Sequence, residues 1–324
     1  MLNSNTVGEI LQDVKNGKER PWVKNKIKST LVAESFFRIR LLNRAIATKN
    51  CGDFLIFAEC VKDNYRKLVD ANFCKDRMCP MCNWRRSRKL QSQIFKVLHA
   101  AVAEVPKMRF VFLTLTVRNV KGEDLNSTIT EMLKGFKALF DLKEVDKPTL
   151  GYVRNLEVTY NAQRDDFHPH IHVLMGVKSD YFANHYISHA RWVEMWNHLL
   201  KLDYEPQVHV KAVRKRNDEQ VPAGMAMEIG KYIAKAEEYL HEGNEELTDR
   251  IIGTLAAALK GRRLIGFGKL FRKLHKELNL SDIEDKETDL VGGDEKNCTC
   301  PLCGTGMMNA IYKWFPGYNF YISE

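Results

Sequence analysis

The sequence predicts an α+β fold in which a central antiparallel sheet is covered by helices. From residue 110 onward the predicted elements follow the order strand, helix, hairpin, helix, strand, helix, which favours a sheet with helices on one face. Hydrophobic residues make up 44% of the chain and charged residues 28%, as in ordinary globular proteins. With 324 residues, the chain is long enough for one large domain or two smaller ones.

The N-terminal third is predicted to be helical and then rich in cysteine. Apolar spacing indicates a helix from Ser35 to Ala47, and Phe54 to Phe57 is a short strand candidate. Five of the eight cysteines lie in residues 51–82. A long helix is predicted from Trp84 to about Ala103. It opens with a cluster of basic residues: Arg85, Arg86, Arg88 and Lys89.

The centre of the chain is predicted to contain a β-hairpin. Phe110 to Val117 is rich in β-branched and aromatic residues, which predicts a strand, and Ser127 to Leu142 has the apolar face of a helix. Tyr152 to Tyr160 alternates in polarity, and a polar turn separates it from a second strand, Pro169 to Val177. Three further elements follow: a helix at Ile187–Leu200, a strand at Gln207–Val213 and a helix at Met225–His241.

Composition divides the chain into six predicted segments. They are a basic helical region (1–50), a cysteine-rich zinc module with a basic helix (51–105), a core domain (106–240), a second basic helical region (241–280), an acidic linker (281–297) and a C-terminal tail with cysteines (298–324). The acidic segment contains Gly292-Gly293 and lacks apolar periodicity, which is typical of a flexible linker.

The net charge of +9 is spread unevenly along the chain. Residues 281–324 contain eight acidic and three basic residues, a balance of −5, which leaves +14 for residues 1–280. A basic body suits a polyanionic partner, because neutralising phosphates supplies most of the non-specific affinity for nucleic acids. A charge excess that only keeps the protein soluble explains the same numbers equally well.

Neither a signal peptide nor a membrane-spanning helix is predicted. The segment Met1 to Trp22 is polar and charged, and no apolar run approaches the ~18 residues of a spanning helix. The protein is therefore predicted to have no membrane partner and to be cytoplasmic. In the cytoplasm thiols stay reduced. The cysteines are then metal ligands or buried thiols rather than disulfides.

The hairpin contains a candidate metal site. His170 and His172 are two residues apart on a strand, so both side chains project from one face and can reach one divalent ion. Glu157 lies on the partner strand, and pairing would bring three ligands together. Such a set leaves open positions for the oxygens of a phosphate. A solvated carboxylate explains Glu157 equally well. Because Pro169 interrupts the run, His168 is predicted to be a turn or phosphate-contacting residue rather than a ligand.

A second group of candidate residues lies on the predicted helix at Met225–His241. Glu228 and Tyr232 are four residues apart and share a helix face, so both could address one phosphate. Tyrosine is a poor nucleophile near its ordinary pKa of about 10, and a polarised phosphate with a nearby cation, Lys231 or Lys235, would make its attack feasible. Glu228 could instead activate water. An amphipathic helix with a Glu–Lys pair is the simpler interpretation of this segment taken alone.

Three motifs, taken in order, resemble those of HUH endonucleases: Phe112-Leu-Thr-Leu-Thr116, His168-Pro-His-Ile-His172 and Glu228-x3-Tyr232-x2-Lys235. The chain looks most like the rolling-circle replication initiators of small plasmids from Gram-positive bacteria, the Rep family 1 type. The segment from Ala71 to Arg86 is similar to the cysteine motif of that family. The resemblance covers about residues 50–240.

The resemblance implies an HUH endonuclease core at residues 106–240 that nicks one DNA strand at a replication origin. In such proteins the two histidines bind Mg²⁺ or Mn²⁺, and the tyrosine stays on the 5′ phosphate and leaves a free 3′-OH primer. Carried over by motif, these residues are His170, His172 and Tyr232. Glu228 is then implicated in hydrolytic termination, with Lys235 beside it. Glu157 as the third metal ligand rests on analogy with other HUH proteins.

The resemblance also implies partners. A single-stranded or hairpin origin would be the substrate, and a host helicase and DNA polymerase would act with this chain, which has no convincing P-loop of its own. Residues 1–49 and 241–280 are both basic enough to read duplex DNA, and the choice between them stays open, as does that between monomer and dimer. The predicted DNA-contacting side chains are Arg85, Arg86, Arg88 and Lys231.

The cysteines predict structural zinc. Cys79 and Cys82 have zinc-knuckle spacing, and Cys74 lies five residues earlier. The fourth thiolate is Cys60, at the end of the short strand, or Cys51 before it, and Cys60 is preferred as the nearer residue. Such a closed site would brace the helix from Trp84 rather than perform chemistry. A second zinc site would use three thiolates of the tail, with Cys51 or a histidine: Cys298, Cys300 and Cys303.

Two other classes of protein remain as alternatives. An HUH transposase or relaxase would use the same chemistry, although relaxases usually have three clustered histidines and an N-terminal tyrosine, which this chain lacks. A non-enzymatic, zinc-containing DNA-binding regulator would account for the basic charge. It gives no reason for the combined histidine, glutamate and tyrosine pattern.

Overall fold

In the computed structural model, the described residues are 8–15, 17–213, 221, 223–230, 236–285, 288–291 and 299–324. The chain divides into two compact units, of which the first consists of Met1–Arg85 and Asp289–Glu324 and the second of Arg86–Thr288. The first unit is therefore assembled from two stretches that are far apart in the sequence.

Helices and strands alternate irregularly along the chain. The helices are α1 (Trp22–Arg38), α2 (Leu42–Lys49), α3 (Pro80–Glu104), α4 (Leu125–Asp141), α5 (Lys143–Asp146), α6 (Tyr181–Asn184), α7 (His189–Leu200), α8 (Ala223–Ile229), α9 (Ala236–Tyr239), α10 (Glu245–Ala258) and α11 (Leu270–Glu277). The strands are β1 (Val14–Lys15), β2 (Lys18–Glu19), β3 (Phe54–Cys60), β4 (Arg66–Ala71), β5 (Arg109–Thr116), β6 (Thr149–Asn161), β7 (Asp166–Val177), β8 (Val208–Val213), β9 (Ile265–Lys269), β10 (Met307–Phe315) and β11 (Phe320–Ser323). Among the described residues, no helix combines the length and apolar character that crossing a bilayer requires.

The first unit contains a four-stranded antiparallel sheet with the order β11-β10-β3-β4. Its core is rich in aromatic side chains, among which Phe57 is in edge-to-face contact with Trp22 at 5.7 Å and with Tyr312 at 5.9 Å between ring centroids. The C-terminal tail, which the sequence sets apart as a separate segment, thus supplies half of this sheet.

The second unit contains a five-stranded sheet with the order β8-β5-β7-β6-β9, in which every neighbouring pair is antiparallel. The α+β class predicted from the sequence is confirmed. The long hairpin of β6 and β7 lies at the centre, where both strands have two neighbours. This position explains why the alternation of β7 is lost after His172, because the residues from Val173 to Val177 are buried on both faces.

Helices cover both faces of this sheet, whereas the sequence predicts them on one face. On one face Phe136 and Phe140 of α4 pack on Tyr152. On the opposite face α11 lies close to the sheet, because a Cβ atom on Gly176 would lie 2.9 Å from the ring of Phe271. Only glycine at position 176 allows Phe271 to come this close to the sheet. Helix α11 was not predicted, because its apolar pattern is too short to be recognised from the sequence.

The helix predicted from Ser35 to Ala47 is wrong, because the chain reverses between α1 and α2. Arg40 has a left-handed φ of 63°, and the amides of Arg40 and Leu41 donate to the carbonyls of Phe37 and Phe36. This pair of hydrogen bonds is a Schellman motif, which ends a helix. The motif usually contains glycine, so arginine at this position concealed it.

Two other predicted segments differ in detail. Residues 281–285, expected to belong to a flexible linker, contact the second unit's sheet, since the carboxylate of Glu284 accepts from the amides of Leu264 and Ile265 at 3.0 and 3.1 Å. Within the helix predicted from Met225 to His241, the structure describes α8 and α9, and residues 231–235 lie outside the described part of the chain.

Candidate functional site

The three predicted metal ligands come together on the central hairpin of the second unit. The register of β6 and β7 places Glu157 opposite His170, and Asn155 opposite His172. The Nε2 atoms of His170 and His172 lie 3.2 and 3.1 Å from the same carboxylate oxygen of Glu157. The three ligand atoms all lie within 4.8 Å of one another. One ion could therefore contact all three side chains.

The other nitrogen of each imidazole ring is held by the protein. His172 Nδ1 lies 3.0 Å from the hydroxyl of Thr114 on β5, and His170 Nδ1 lies 3.2 Å from the carbonyl oxygen of His168. A carbonyl oxygen can only accept, so the Nδ1 atom of His170 carries a proton and its Nε2 atom faces Glu157. A ring nitrogen this close to a carboxylate oxygen needs a positive charge between the two atoms, which a proton on Nε2 or a bound divalent ion supplies.

The electrostatics of Glu157 also suit a metal ligand. The side chains of Glu157, His170 and His172 are only 12%, 11% and 15% exposed. Burial by itself raises the pKa of Glu157, but hydrogen bonds from the two histidines, together with their charge, lower it to about 2. Glu157 is therefore ionised at neutral pH, as a carboxylate ligand must be.

Helix α8 is attached to the strand that carries Glu157. The buried side-chain amide of Asn155 donates to the carbonyl oxygen of Ile229 at 3.1 Å. Gly230 follows directly and packs against α3, where an added Cβ would lie 2.4 Å from Gln91. Asn155 has the same orientation on the sheet as Glu157, so α8 ends over the face that holds the two histidines.

The predicted nucleophile, Tyr232, comes three residues after the end of α8 in the sequence. Tyr232, Lys231 and Lys235 lie outside the described residues, so their positions stay predictions. Glu228 is half-buried in α8 and precedes Ile229, whose carbonyl oxygen is bonded to Asn155. The part of the helix that the structure describes thus ends three residues before Tyr232.

His168 lies on β7 itself, although the sequence predicts that the strand begins at Pro169. Proline fits here because β5 ends opposite His170, so the Pro169 nitrogen needs no partner on that side. Burial lowers the pKa of His168, and the charges of His170 and Arg164 add to this effect. His168 also borders a cleft of about 610 Å³. The other residues that line it are Thr116, Val117, Arg118, Asn119, Arg164, Tyr204, Glu205 and Gln207.

Four cysteines of the first unit form a cluster in which Cys74 is half-buried and the others are buried: Cys51, Cys74, Cys79 and Cys82. Cys82 Sγ lies 3.5 Å from Cys51 Sγ and 3.6 Å from Cys74 Sγ. Burial alone would raise the pKa of Cys79, yet hydrogen bonds from the neighbouring thiols and Ser29 hold it well below its ordinary value. Sulfur atoms at these distances match a tetrahedral site with Zn–S bonds of about 2.3 Å.

The preference for Cys60 as the fourth member of this cluster is wrong, and Cys51 takes its place. Strand β3 rises by about 3.3 Å per residue, so Cys60 lies about 20 Å from the start of the strand. Strand β4 then runs back along β3 and pairs Ala71 with Leu55. The chain therefore reaches Cys74 beside Cys51, and the amide of Cys74 donates to Cys51 Sγ at 3.3 Å.

Cys60 belongs to a second cluster, together with Asp63, Cys300 and Cys303. Of the three tail cysteines expected to form a second zinc site, Cys300 and Cys303 are in this cluster, and Cys298 lies outside the described residues. Asp63 was not predicted as a ligand, because the sequence motifs typical of structural zinc sites consist of cysteine and histidine. Its spacing to Cys60 is the same as that of Cys300 to Cys303, which was the available signal.

The basic residues at the start of α3 differ in their surroundings. Arg86 is only 2% exposed. Arg85 donates to the carbonyl oxygens of Leu290 and Val291 and stacks 5.6 Å from the ring of Trp22. The burial of Arg86 contradicts its predicted contact with DNA, whereas Arg85 is half-buried and its predicted contact stays a prediction. Arg88 is exposed, and its role as a DNA contact stays a prediction.

A family model described as replication protein (Rep_1) matches residues 65–321. A Protein rep of Lactiplantibacillus plantarum is 39% identical over 295 residues, which cover 89% of this chain and 92% of the relative. A Protein rep of Bacillus amyloliquefaciens is 36% identical over 345 residues, which cover 99% of both chains. No solved structure matches this chain.

The family match covers the histidine and glutamate cluster and the cysteines from Cys74 to Cys303, and the relative that covers 99% of this chain extends over both units. They define the class of this protein as a plasmid replication initiator. The chain belongs to the Rep_1 family of replication proteins, and the resemblance found in the sequence is confirmed.

Proposed function

We propose that this protein starts rolling-circle replication of a plasmid by nicking one strand of its origin. The observation that carries the proposal is the convergence of His170, His172 and Glu157, whose ligand atoms lie within 4.8 Å of one another on paired strands. This donor set is typical of a divalent ion with open coordination positions. The balance of +14 on residues 1–280 supports a DNA substrate.

In the proposed reaction Tyr232 is the nucleophile. Its phenolic oxygen attacks the scissile phosphorus, the bond from phosphorus to the 3′ oxygen breaks, and that oxygen takes up a proton to become the 3′-OH primer. The phosphate then links Tyr232 to the 5′ end of the cleaved strand. This phosphotyrosine bond conserves the energy of the broken phosphodiester bond for strand joining. Lys235 and Lys231 are proposed as cations that favour the phenolate and bind the phosphate.

His170, His172 and Glu157 would hold Mg²⁺ or Mn²⁺. When bound, such an ion neutralises charge on the non-bridging oxygens of the phosphate. Thr114 and the carbonyl oxygen of His168 keep both imidazole rings oriented towards that position. Asn155 holds α8, so that the residues after Gly230 start from a fixed point over the site.

Glu228 is proposed to act at termination. As a general base it would take the proton of a water molecule, which then attacks the phosphotyrosine bond, or the proton of a strand hydroxyl that joins the ends. One tyrosine would then suffice for each round of replication. The Cys51, Cys74, Cys79 and Cys82 cluster is proposed to hold structural Zn²⁺.

Origin DNA in single-stranded or hairpin form is the proposed substrate, with a host helicase and DNA polymerase as partners. Residues 241–280 are a proposed contact with origin DNA. The segment contains eight Lys/Arg and five Asp/Glu residues, so its charge favours phosphate only modestly.

Trapping of a covalent adduct tests the proposal. Labelled single-stranded oligonucleotides that tile the origin are incubated with the full chain and Mn²⁺ and separated under denaturing conditions. We expect an adduct that Tyr232→Phe, His170→Ala and EDTA each abolish. Tyr318→Phe is the matched control, because Tyr318 is 72% exposed and belongs to the first unit. Origin binding without an adduct would instead indicate a DNA-binding regulator.

A further inference from the structure

We infer that Cys60, Asp63, Cys300 and Cys303 form a second zinc site, which exchanges its ion faster than the four-cysteine cluster. The inference concerns a ligand set of three thiolates and one carboxylate. It does not depend on the proposed nicking reaction, because its test measures bound zinc.

The four ligands come from two turns with the same spacing. Cys60 ends β3, and Asp63 lies three residues later in the turn that leads to β4. Cys300 and Cys303 have the same separation and lie in the turn closed by the bridge between Thr299 and Gly306. Two such turns that face each other are the usual framework of a zinc site.

The distances between ligand atoms fit a tetrahedral ion. Cys60 Sγ lies 3.4 Å from Cys303 Sγ, and Asp63 Oδ2 lies 3.9 Å from Cys300 Sγ and 4.0 Å from Cys60 Sγ. With Zn–S bonds of about 2.3 Å and a Zn–O bond of about 2.1 Å, tetrahedral geometry requires about 3.8 Å between sulfurs and about 3.6 Å between sulfur and oxygen. The observed separations need only small adjustments.

The backbone of the Cys60 turn favours a thiolate, and the Cys300 turn is fixed by a backbone hydrogen bond of its own. The amides of Lys62 and Asp63 each donate to Cys60 Sγ at 3.4 Å, which stabilises a negative sulfur. In the other turn the amide of Gly304 donates to the Cys300 carbonyl at 2.8 Å. Gly304 has a φ of 69°, a conformation that glycine adopts without strain. Both turns are thus held in place independently of an ion.

The site would connect two parts of the chain that are 243 residues apart. Strand β10 pairs with β3 so that Met307 lies opposite Cys60, which places both turns at the same end of the sheet. The four-cysteine cluster, which includes Cys51, lies at the opposite end of β3. One ion would therefore secure the start of β3 to α3, and the other would secure its end to the C-terminal strands.

The two sites differ in access and in ligand type. In the four-cysteine cluster Cys74 is half-buried and the other three ligands are completely buried, whereas in the second set Asp63 is half-buried and Cys303 is exposed. A carboxylate is also a harder ligand than a thiolate and matches zinc less well. Both differences favour faster loss of zinc from the second site.

Zinc release from the full chain tests the inference. An organomercurial, which frees only thiolate-bound zinc, should release about two ions per chain. A chromophoric chelator should remove one of them in a separate, faster phase than the other. Cys303→Ser and Asp63→Ala should each eliminate the fast ion alone. Asp70→Ala is the matched control, because Asp70 is an exposed carboxylate on the adjoining strand.

Two further variants keep the test decisive if Cys303→Ser fails to fold. Asp63→Cys should retain both ions, slow the fast release and strengthen the thiolate-to-metal absorption of the Co²⁺-loaded chain. Cys298→Ser should leave both ions in place. Loss of the fast ion in Cys298→Ser but not in Asp63→Ala would overturn the ligand set. One zinc per chain with a Cys60–Cys303 disulfide in the mass spectrum would overturn the site.

Discussion

The hydroxyl of Thr114 should set the metal affinity of the histidine site, and Thr114→Val tests this. Thr114 lies opposite His172 in the sheet, and its Oγ1 atom is 3.0 Å from His172 Nδ1. Valine keeps the shape of the side chain and removes the hydrogen bond that orients the ring. Partners of metal-binding histidines typically contribute about 10- to 100-fold in affinity, or about 1.4–2.8 kcal/mol.

The assay is calorimetric titration of Mn²⁺ into the wild type and the variant. We expect the dissociation constant of Thr114→Val to rise by about 10- to 100-fold, with nicking recovered at high Mn²⁺. Thr116→Val is the matched control. Thr116 lies two residues beyond Thr114 on the same face of β5, and its hydroxyl donates to the Gln207 carbonyl at 2.8 Å. Equal Mn²⁺ affinity in the two variants would refute the role of Thr114.

Three other variants test the surroundings of the site. Asn155→Leu removes the hydrogen bond to the Ile229 carbonyl, which should lower the free energy of unfolding by about 1–3 kcal/mol. Adduct formation should become slower, while the Mn²⁺ affinity stays unchanged. Gly230→Ala brings a Cβ to 2.4 Å from Gln91 and should lower the thermal midpoint by overpacking of about 1–3 kcal/mol, which Gln91→Ala partly restores. The depressed pKa of Glu157 means that its charge stabilises the fold above pH about 4.5 and that this contribution is lost as the pH falls through about 2. The difference in unfolding free energy between wild type and Glu157→Gln in metal-free urea titrations should therefore shrink across that range, and a difference that does not depend on pH would contradict the assignment.

The core of the candidate site could be predicted because it depends on local pattern. Residues two apart on a strand share a face, so His170 and His172 had to point the same way. The short turn of the hairpin left few registers in which Glu157 could pair. The positions of Thr114 and Asn155 required the neighbouring strand and the helix that covers the sheet, which no short segment of sequence specifies.

The remaining features depended on contacts between distant parts of the chain. Cys60 is nearer to Cys74 in the sequence than Cys51 is, but the antiparallel return of β4 makes Cys51 its neighbour. The tail was predicted to stand apart, because nothing in its sequence shows that Met307 pairs with Cys60. The break after α1 was missed because Arg40 occupies the position at which glycine usually marks a helix end.

The pairing of β10 with β3 has a consequence for synthesis on the ribosome. Strand β3 is made early, but its partner β10 emerges only after the whole of the second unit, residues 86–288, has been translated. Until then one edge of β3 presents unpaired amides and carbonyls, which is the condition that invites pairing with other chains. During translation the sheet of the first unit therefore stays incomplete, with one edge of β3 unpaired. We expect the pairing of β10 with β3 to be the slow step in the folding of this protein.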